Sequence, residues 1–185
     1  MSKVAITDKN GKVLEEEEFI TALKKGLIRK VVRIFIFNSK GELFQQKRSD
    51  NVFLFPGKWD SSASGHVDHA DEKVLDSAKR EVEEELGITN LDLKEEVSFY
   101  NDEGIHDNMV LKCFETIFSA TYDGKLNLEN WEVSEGRWIK KEELDKEIKQ
   151  FPKNFSEGFV NSWKKYKEKN NVSRKHLNKK KTSHQ

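Results

Sequence analysis

The stretch GHVDHADEKVLDSAKREVEEELGI, residues 65–88, decides how the rest of the chain is read. Its second half has helical spacing: Val74, Leu75, Ala78, Val82 and Leu86 fall on a face that would pack against a sheet. Asp71 stands where an N-cap is expected, and Gly87 stands just past the last turn, where a left-handed residue closes a helix. Glu81, Glu84 and Glu85 lie three and four positions apart, so their carboxylates converge on one side. Two readings compete. In a chain with 36% charged residues, an acidic helix is most simply a solvated face. The alternative is an oxygen cage for a hard cation, Mg²⁺ or Mn²⁺, because clustered like charges repel until something neutralises them. Arg80, four residues before Glu84, offsets only part of that repulsion. The glycine-bearing loop before the helix, the glycine after it and the clean apolar face favour the cage.

Working outward, KVAITDKNGKVLEEEEF (3–19) predicts two short strands around an Asn10–Gly11 turn. A helix from about Glu16 to Lys25 should follow, stopped by Gly26. IRKVVRIFIFN (28–38), a turn at Ser39-Lys40-Gly41 and ELFQQKRS (42–49) read as a second hairpin. Pro56–Gly57 begins a loop that leads to Gly65. Strands resume at LKEEVSFYND (93–102), MVLKCFETIFSATY (109–122) and SEGRWIK (134–140). KKEELDKEIKQ (140–150) and SEGFVNSWKKYKEK (156–169) read as helices on either side of Pro152. Strands interleaved with helices predict a mixed α/β (α+β) sandwich. The expected organisation is one domain over residues 1–165, with residues 1–27 an N-terminal hairpin and helix. Past Tyr166 the apolar residues thin to Val172 and Leu177, so residues 166–185 are expected to be a disordered tail.

The net charge of zero hides an asymmetry. Residues 164–185 hold nine Lys or Arg and one Glu, giving +8, which leaves −8 for residues 1–163. An acidic body suits cation binding. The basic tail could meet nucleic acid through phosphates, but it lacks interleaved aromatics or a recognisable module, so no nucleic-acid partner is expected. Cys113 is the only cysteine, which excludes an internal disulfide and fits a reducing compartment. No signal-peptide core or membrane-length apolar run occurs, so a cytoplasmic chain without a membrane partner is expected. The oligomeric state is open.

EKVLDSAKREVEEELGI (72–88) resembles the Nudix box, G-x5-E-x7-R-E-U-x-E-E-x-G-U, where U is a bulky apolar residue. Glu72, Arg80, Glu81, Val82, Glu84, Glu85, Gly87 and Ile88 fit at fixed spacing. One position departs: the box glycine falls on His66, and the glycine is Gly65. The loop therefore has one extra residue or a His substitution. NSKGELFQQKRS, FPGKWDSSASGHV and EGRWIKKEEL are similar to the branch of Nudix proteins nearest the type 1 isopentenyl-diphosphate isomerases, over roughly residues 28–148. The resemblance implies a Nudix α/β/α sandwich with a mixed sheet. It also implies metal-dependent cleavage of the diphosphate linkage in a nucleoside diphosphate derivative or similar small molecule. Glu81 and Glu85 would be the main ligands of Mg²⁺ or Mn²⁺, with Glu84 a further one. Glu81 or Glu84 would take the proton of the attacking water, and Glu72 and Arg80 would orient the ligands.

Two other functions stand beside hydrolysis. The isomerases use a cysteine and a glutamate, and the match puts Ser64 and Met109 at those positions, with Asp107 at a preceding acid. A serine hydroxyl is a poor acid and methionine exchanges no proton, so isomerisation is disfavoured. A non-catalytic Nudix-like binding module is the third reading, against which all the box acids are present. Lys47 and Arg48, at a strand end, are candidates to grip a substrate phosphate, and Gly65 and His66 are further substrate-contact candidates. Asp107 and Glu132 are candidate extra ligands, and His69 is expected only to hydrogen-bond in the loop. Trp59 and Trp138 could stack on a base but are expected in the core.

Overall fold

A ten-residue strand, β3 (Ile28–Phe37), organises the molecule, and it is buried along nearly its whole length because both of its faces are covered. Val32, Ile34 and Ile36 join one apolar cluster with Ala78, Val82 and Leu86. Phe35 and Phe37, pointing the other way, join a second with Phe155, Phe159, Trp163 and Tyr166. The computed structural model describes residues 3–128 and 131–182, with side chains described as far as residue 172.

Around β3 the sheet is mixed. β7 (Met109–Thr121) runs parallel to it over ten residue pairs, from Ile28↔Lys112 to Phe37↔Thr121, and β6 (Lys94–His106) pairs antiparallel with β7. On the other side of β3 lie β1 (Lys3–Thr7), β4 (Leu43–Arg48) and β5 (Ala63–His66), all antiparallel to it. β2 (Val13–Glu18) and β8 (Val133–Ile139) add outer strands. Three further elements are α1 (Phe19–Lys24), α2 (Val74–Leu86) and α3 (Lys141–Gln150). The last, α4, spans Glu157–Thr182. With α2 on one face and α3 and α4 on the other, the molecule is the expected α+β sandwich with a mixed sheet.

Several elements differ from expectation, each for a local reason. α1 begins at Phe19 instead of Glu16, because Glu15 to Glu18 pair with β1 and the Glu18 carboxylate caps the helix by accepting from Thr21 N at 2.8 Å. α2 begins at Val74, and the N-cap position is Lys73; Asp71 is exposed and does not cap, since residues 69–72 turn instead, with Glu72 N donating to His69 O. Leu75 is exposed rather than packed on the sheet. Residues 63–66, expected in a loop, form β5, which satisfies the backbone edge that β3 would otherwise bury unpaired. Beyond Tyr166, where a disordered tail is expected, α4 continues through Thr182, and residues 183–185 lie outside the described residues. Tyr166 stacks on Trp163 and Phe37, Lys169 Nζ reaches Glu96 at 2.7 Å, and no Gly or Pro interrupts the helix past Gly158.

Candidate functional site

Gly87, in the left-handed conformation at φ +67°, ends α2 as expected and sets the register of its acidic face. Glu81 and Glu85 are buried on the side that meets β5, whereas Glu84 is 58% exposed at the side chain. Asp76 and Glu83 are exposed to solvent. The approach is made possible by Gly65 in β5: a Cβ there would lie 2.0 Å from Glu81 Cδ. The glycine that matters to the carboxylate is therefore Gly65, and His66 stands one place further along the strand. His66 uses its backbone carbonyl to accept from Arg80 Nη2 at 3.0 Å.

Arg80 is the hub of the loop. It donates to Glu81 at 2.7 Å and lies 3.3 Å from Asp68, 3.7 Å from Glu72 and 3.7 Å from Glu84. Glu72 in turn accepts from Asp68 N at 3.0 Å. Burial pushes the Glu81 carboxyl up to about 7, with Glu84 adding to the rise and Arg80 opposing it. Burial, then the Glu81 charge, holds Glu85 well above the usual carboxylate range. Among the described residues Glu85 is met only by neutral donors, the Gln46 side-chain amide and, at 3.4 Å, Ser64 N. Two buried carboxylates thus share a corner with less positive charge than they need. A hard divalent cation fits this oxygen donor set.

Glu81 and Glu84 line a cavity of about 270 Å³. Its mouth is formed by exposed or half-buried residues, among them Asp68, Glu84, Arg48 and Glu132. Its floor is buried: Arg29, Arg33, Asp60, Glu103 and Ser156 are each no more than 6% exposed. Arg33 is held among Asp60, Glu115 at 3.2 Å and Glu103 at 3.7 Å. Although burial opposes it, the charges of Glu115, Asp60 and Glu103 raise its pKa. Arg29 donates to Glu103 at 2.9 Å and lies 2.9 Å from His66 Nε2. Burial, then Arg29 and Arg48, hold His66 down at about 3, so its ring is neutral. Arg48 donates from Nε to Leu54 O at 2.8 Å, and among the described residues its terminal nitrogens have no hydrogen-bond partner.

Of the other candidates, Glu132 and Ser64 line the cavity. Lys47 does not: alternation along β4 turns it away from Arg48, to Glu135 at 2.8 Å and the face of Trp59. Asp107 sits with Asn108 in the two-residue β6–β7 turn, both at positive φ, and its exposed side chain reaches only His106. Met109 packs among Leu23, Phe55 and Leu111. His69 is exposed, and Trp59 and Trp138 pack against the two apolar clusters. Arg29, Arg33, Asp60 and Glu103 were not singled out by the sequence. The signal available was two arginines four residues apart, on one face of a mostly apolar strand. Donor atoms of Glu103, Cys113 and Glu115 also come within 4.8 Å of one another, but Arg29 and Arg33 already neutralise that group, and burial keeps the thiol protonated.

A loop–helix–loop that presents such carboxylates on this sandwich defines a Nudix-type hydrolase. The chain belongs to that family: the model of the NUDIX domain matches residues 27–159. It is 41% identical over 129 residues to an uncharacterised Nudix hydrolase of Pseudomonas aeruginosa, covering 70% of this chain and 73% of that one. It is 25% identical over 137 residues to an isopentenyl-diphosphate Δ-isomerase of Aromatoleum aromaticum, covering 74% and 71%. In fold it is similar to DR0079 from Deinococcus radiodurans, with TM-score 0.73 and 22% identity over 90% of this chain and 98% of that one. Among the described residues no helix is long and apolar enough to cross a membrane.

Proposed function

We propose that this Nudix hydrolase cleaves the anhydride bond of a small organic diphosphate with the help of Mg²⁺ or Mn²⁺. The observation that supports the reading is the pair of buried, under-neutralised carboxylates, Glu81 and Glu85, with Glu81 and Glu84 lining a cavity that Arg48 also lines. Glu81, Glu85 and Glu84 would hold the cation, and Arg80 and Glu72 would keep Glu81 and the loop in place. When bound, the cation neutralises charge on the phosphate oxygens and acidifies a water. Arg48, whose terminal nitrogens have no hydrogen-bond partner among the described residues, grips a phosphate oxygen at the mouth. In the reaction a P–O bond to the water oxygen forms, the anhydride P–O bond breaks, and the water's proton passes to Glu81 or Glu84. Two phosphate products leave.

The relationship to an isomerase does not extend to isomerase chemistry. Ser64 lines the cavity in place of a thiol, and Met109 is enclosed in an apolar cluster. Phosphate release from a panel of nucleoside and prenyl diphosphates, with and without Mg²⁺ or Mn²⁺, tests the proposal. Metal-dependent release from at least one compound is expected. No cleavage under any metal would refute it.

A further inference from the structure

Four consecutive glutamates, Glu15 to Glu18, end β2, and the acidic helix does not account for them. Two serve the N-terminal segment itself: Glu17 pairs with Lys25 at 2.6 Å, and Glu18 caps α1. Glu16 instead reaches out of the hairpin. Its Oε1 accepts from Ala70 N at 2.9 Å and lies 3.8 Å from His69 Nδ1. Ala70 belongs to the loop 67–73 that joins β5 to α2. A strand outside the matched family domain therefore holds the loop that leads into the acidic helix.

That contact is one of three from the same segment. Ala5 in β1 donates its backbone N–H to Val67 O at 2.8 Å, and Ala5 and Glu16 are register partners across the β1–β2 hairpin. One rung of the hairpin thus fastens the loop at Val67 and again at Ala70. The Phe19 ring, at the start of α1, lies 4.9 Å from the His66 ring. The two fastenings are unequal. Val67 is fully buried and its N–H also donates to Lys30 O at 3.0 Å. Ala70 is exposed, and its N–H relies on the Glu16 carboxylate, a charged and therefore stronger acceptor than a neutral one. What the loop carries makes this matter. His66 O accepts from Arg80, Asp68 lies 3.3 Å from Arg80, and Arg80 donates to Glu81 at 2.7 Å. The loop sets the guanidinium, and the guanidinium sets Glu81.

Resting on the hydrolase reading, we propose that the N-terminal hairpin is part of the active assembly and that Glu16 is a positioning residue. Its hydrogen bond to Ala70 N holds the 66–70 loop, so that His66 O and Asp68 keep Arg80 on Glu81. The carboxylate geometry offered to a divalent cation then depends on a side chain in β2 that does not itself touch the cation. Removing the Glu16 acceptor loosens the loop and weakens metal binding, while the sheet and the core stay intact.

Titration of the metal-free full chain with Mn²⁺, followed by the electron paramagnetic resonance signal of the free ion, tests this without relying on turnover. Outer partners that orient a metal ligand change affinity about 10–100-fold, and Glu16 acts one step further back. Glu16→Ala is therefore expected to weaken Mn²⁺ binding about three- to tenfold. Glu16→Gln keeps an oxygen that accepts from Ala70 N and should stay within about twofold of wild type. Glu15→Ala, an exposed neighbour in the same run, should bind as wild type does. Amide exchange over residues 66–72, measured without metal, should quicken in Glu16→Ala and not in Glu16→Gln. Melting curves accompany each variant. Glu16→Thr, a good strand former too short to reach Ala70, replaces Glu16→Ala if the alanine variant melts early. Equal Mn²⁺ binding by wild type and Glu16→Ala, equal weakening in the Ala and Gln variants, or unchanged exchange in the loop overturns the proposal. Wild-type protein that binds no Mn²⁺ refutes the metal site and the inference with it, a result distinct from the other three.

Discussion

Glu81 carries opposing demands on one side chain: it is buried under β5, it faces like charge from Glu84 and Asp68, and its direct cationic partner is Arg80. The metal-free protein should therefore show a particular pH dependence. Folded, Glu81 titrates near 7; unfolded, a glutamate titrates near 4.3. Between those values the folded state holds the more protons, so stability falls as pH rises across the window, by up to about 3 kcal/mol from this group. Urea midpoints in chelator at pH 5 and pH 8 should show that loss in the wild type and a smaller one in Glu81→Gln. Equal slopes in both proteins would mean that Glu81 is not buried as described. Gly65 is the complementary residue. In Gly65→Ala the new methyl group would displace the Glu81 carboxylate, a flexible tip, so the fold should persist while turnover drops about 100-fold. A variant with wild-type turnover would show that the close approach of Gly65 is incidental.

Among the elements, α2 was the most legible in the sequence, because its spacing and closing glycine report on the helix alone. Glu81, Glu84 and Glu85 could be named for the same reason: their convergence follows from helical geometry. Arg29, Arg33 and Glu103 could not be read this way. They meet only because β3 and β7 run in parallel, a contact made across more than seventy residues, and because a bulge in β6 turns Glu103 inward. Lys47 and Arg48 were named together because sequence gives strand alternation but not which face meets the cavity, and only Arg48 lines it. The start of α4 was legible as helix, but its role as a wall was not. Gly158→Ala tests that role. Replacing a glycine within a helix by alanine ordinarily stabilises by about 0.5–1 kcal/mol. Here the methyl group would press on Glu103 and Arg33, so a net loss of about 1–3 kcal/mol in urea denaturation is expected. A gain would show that α4 does not close on the arginines.

At the scale of the whole molecule, the two faces of one sheet divide the work. The α2 face brings the carboxylates up against Gly65, and the α4 face seals the arginines behind them. β5 lets the two sides meet. Its pairing with β3 puts Gly65 opposite Val32, on the α2 side, and Ser64 opposite Arg33, whose neighbours include Glu115 beneath α4. The result is a cavity with carboxylates at its mouth and, at its floor, Arg29 and Arg33 ion-paired with Asp60, Glu103 and Glu115. The N-terminal β1 and β2 extend the same sheet beyond the matched family domain, and the acidic body leaves the basic charge to the end of α4. The most direct test is steady-state turnover of a cleaved diphosphate at saturating Mg²⁺ by wild type and Glu81→Gln, each verified as folded by its melting curve. A loss of at least about 100-fold is expected in the variant. Turnover within a few-fold of wild type would contradict the assignment of the acidic helix as the catalytic centre.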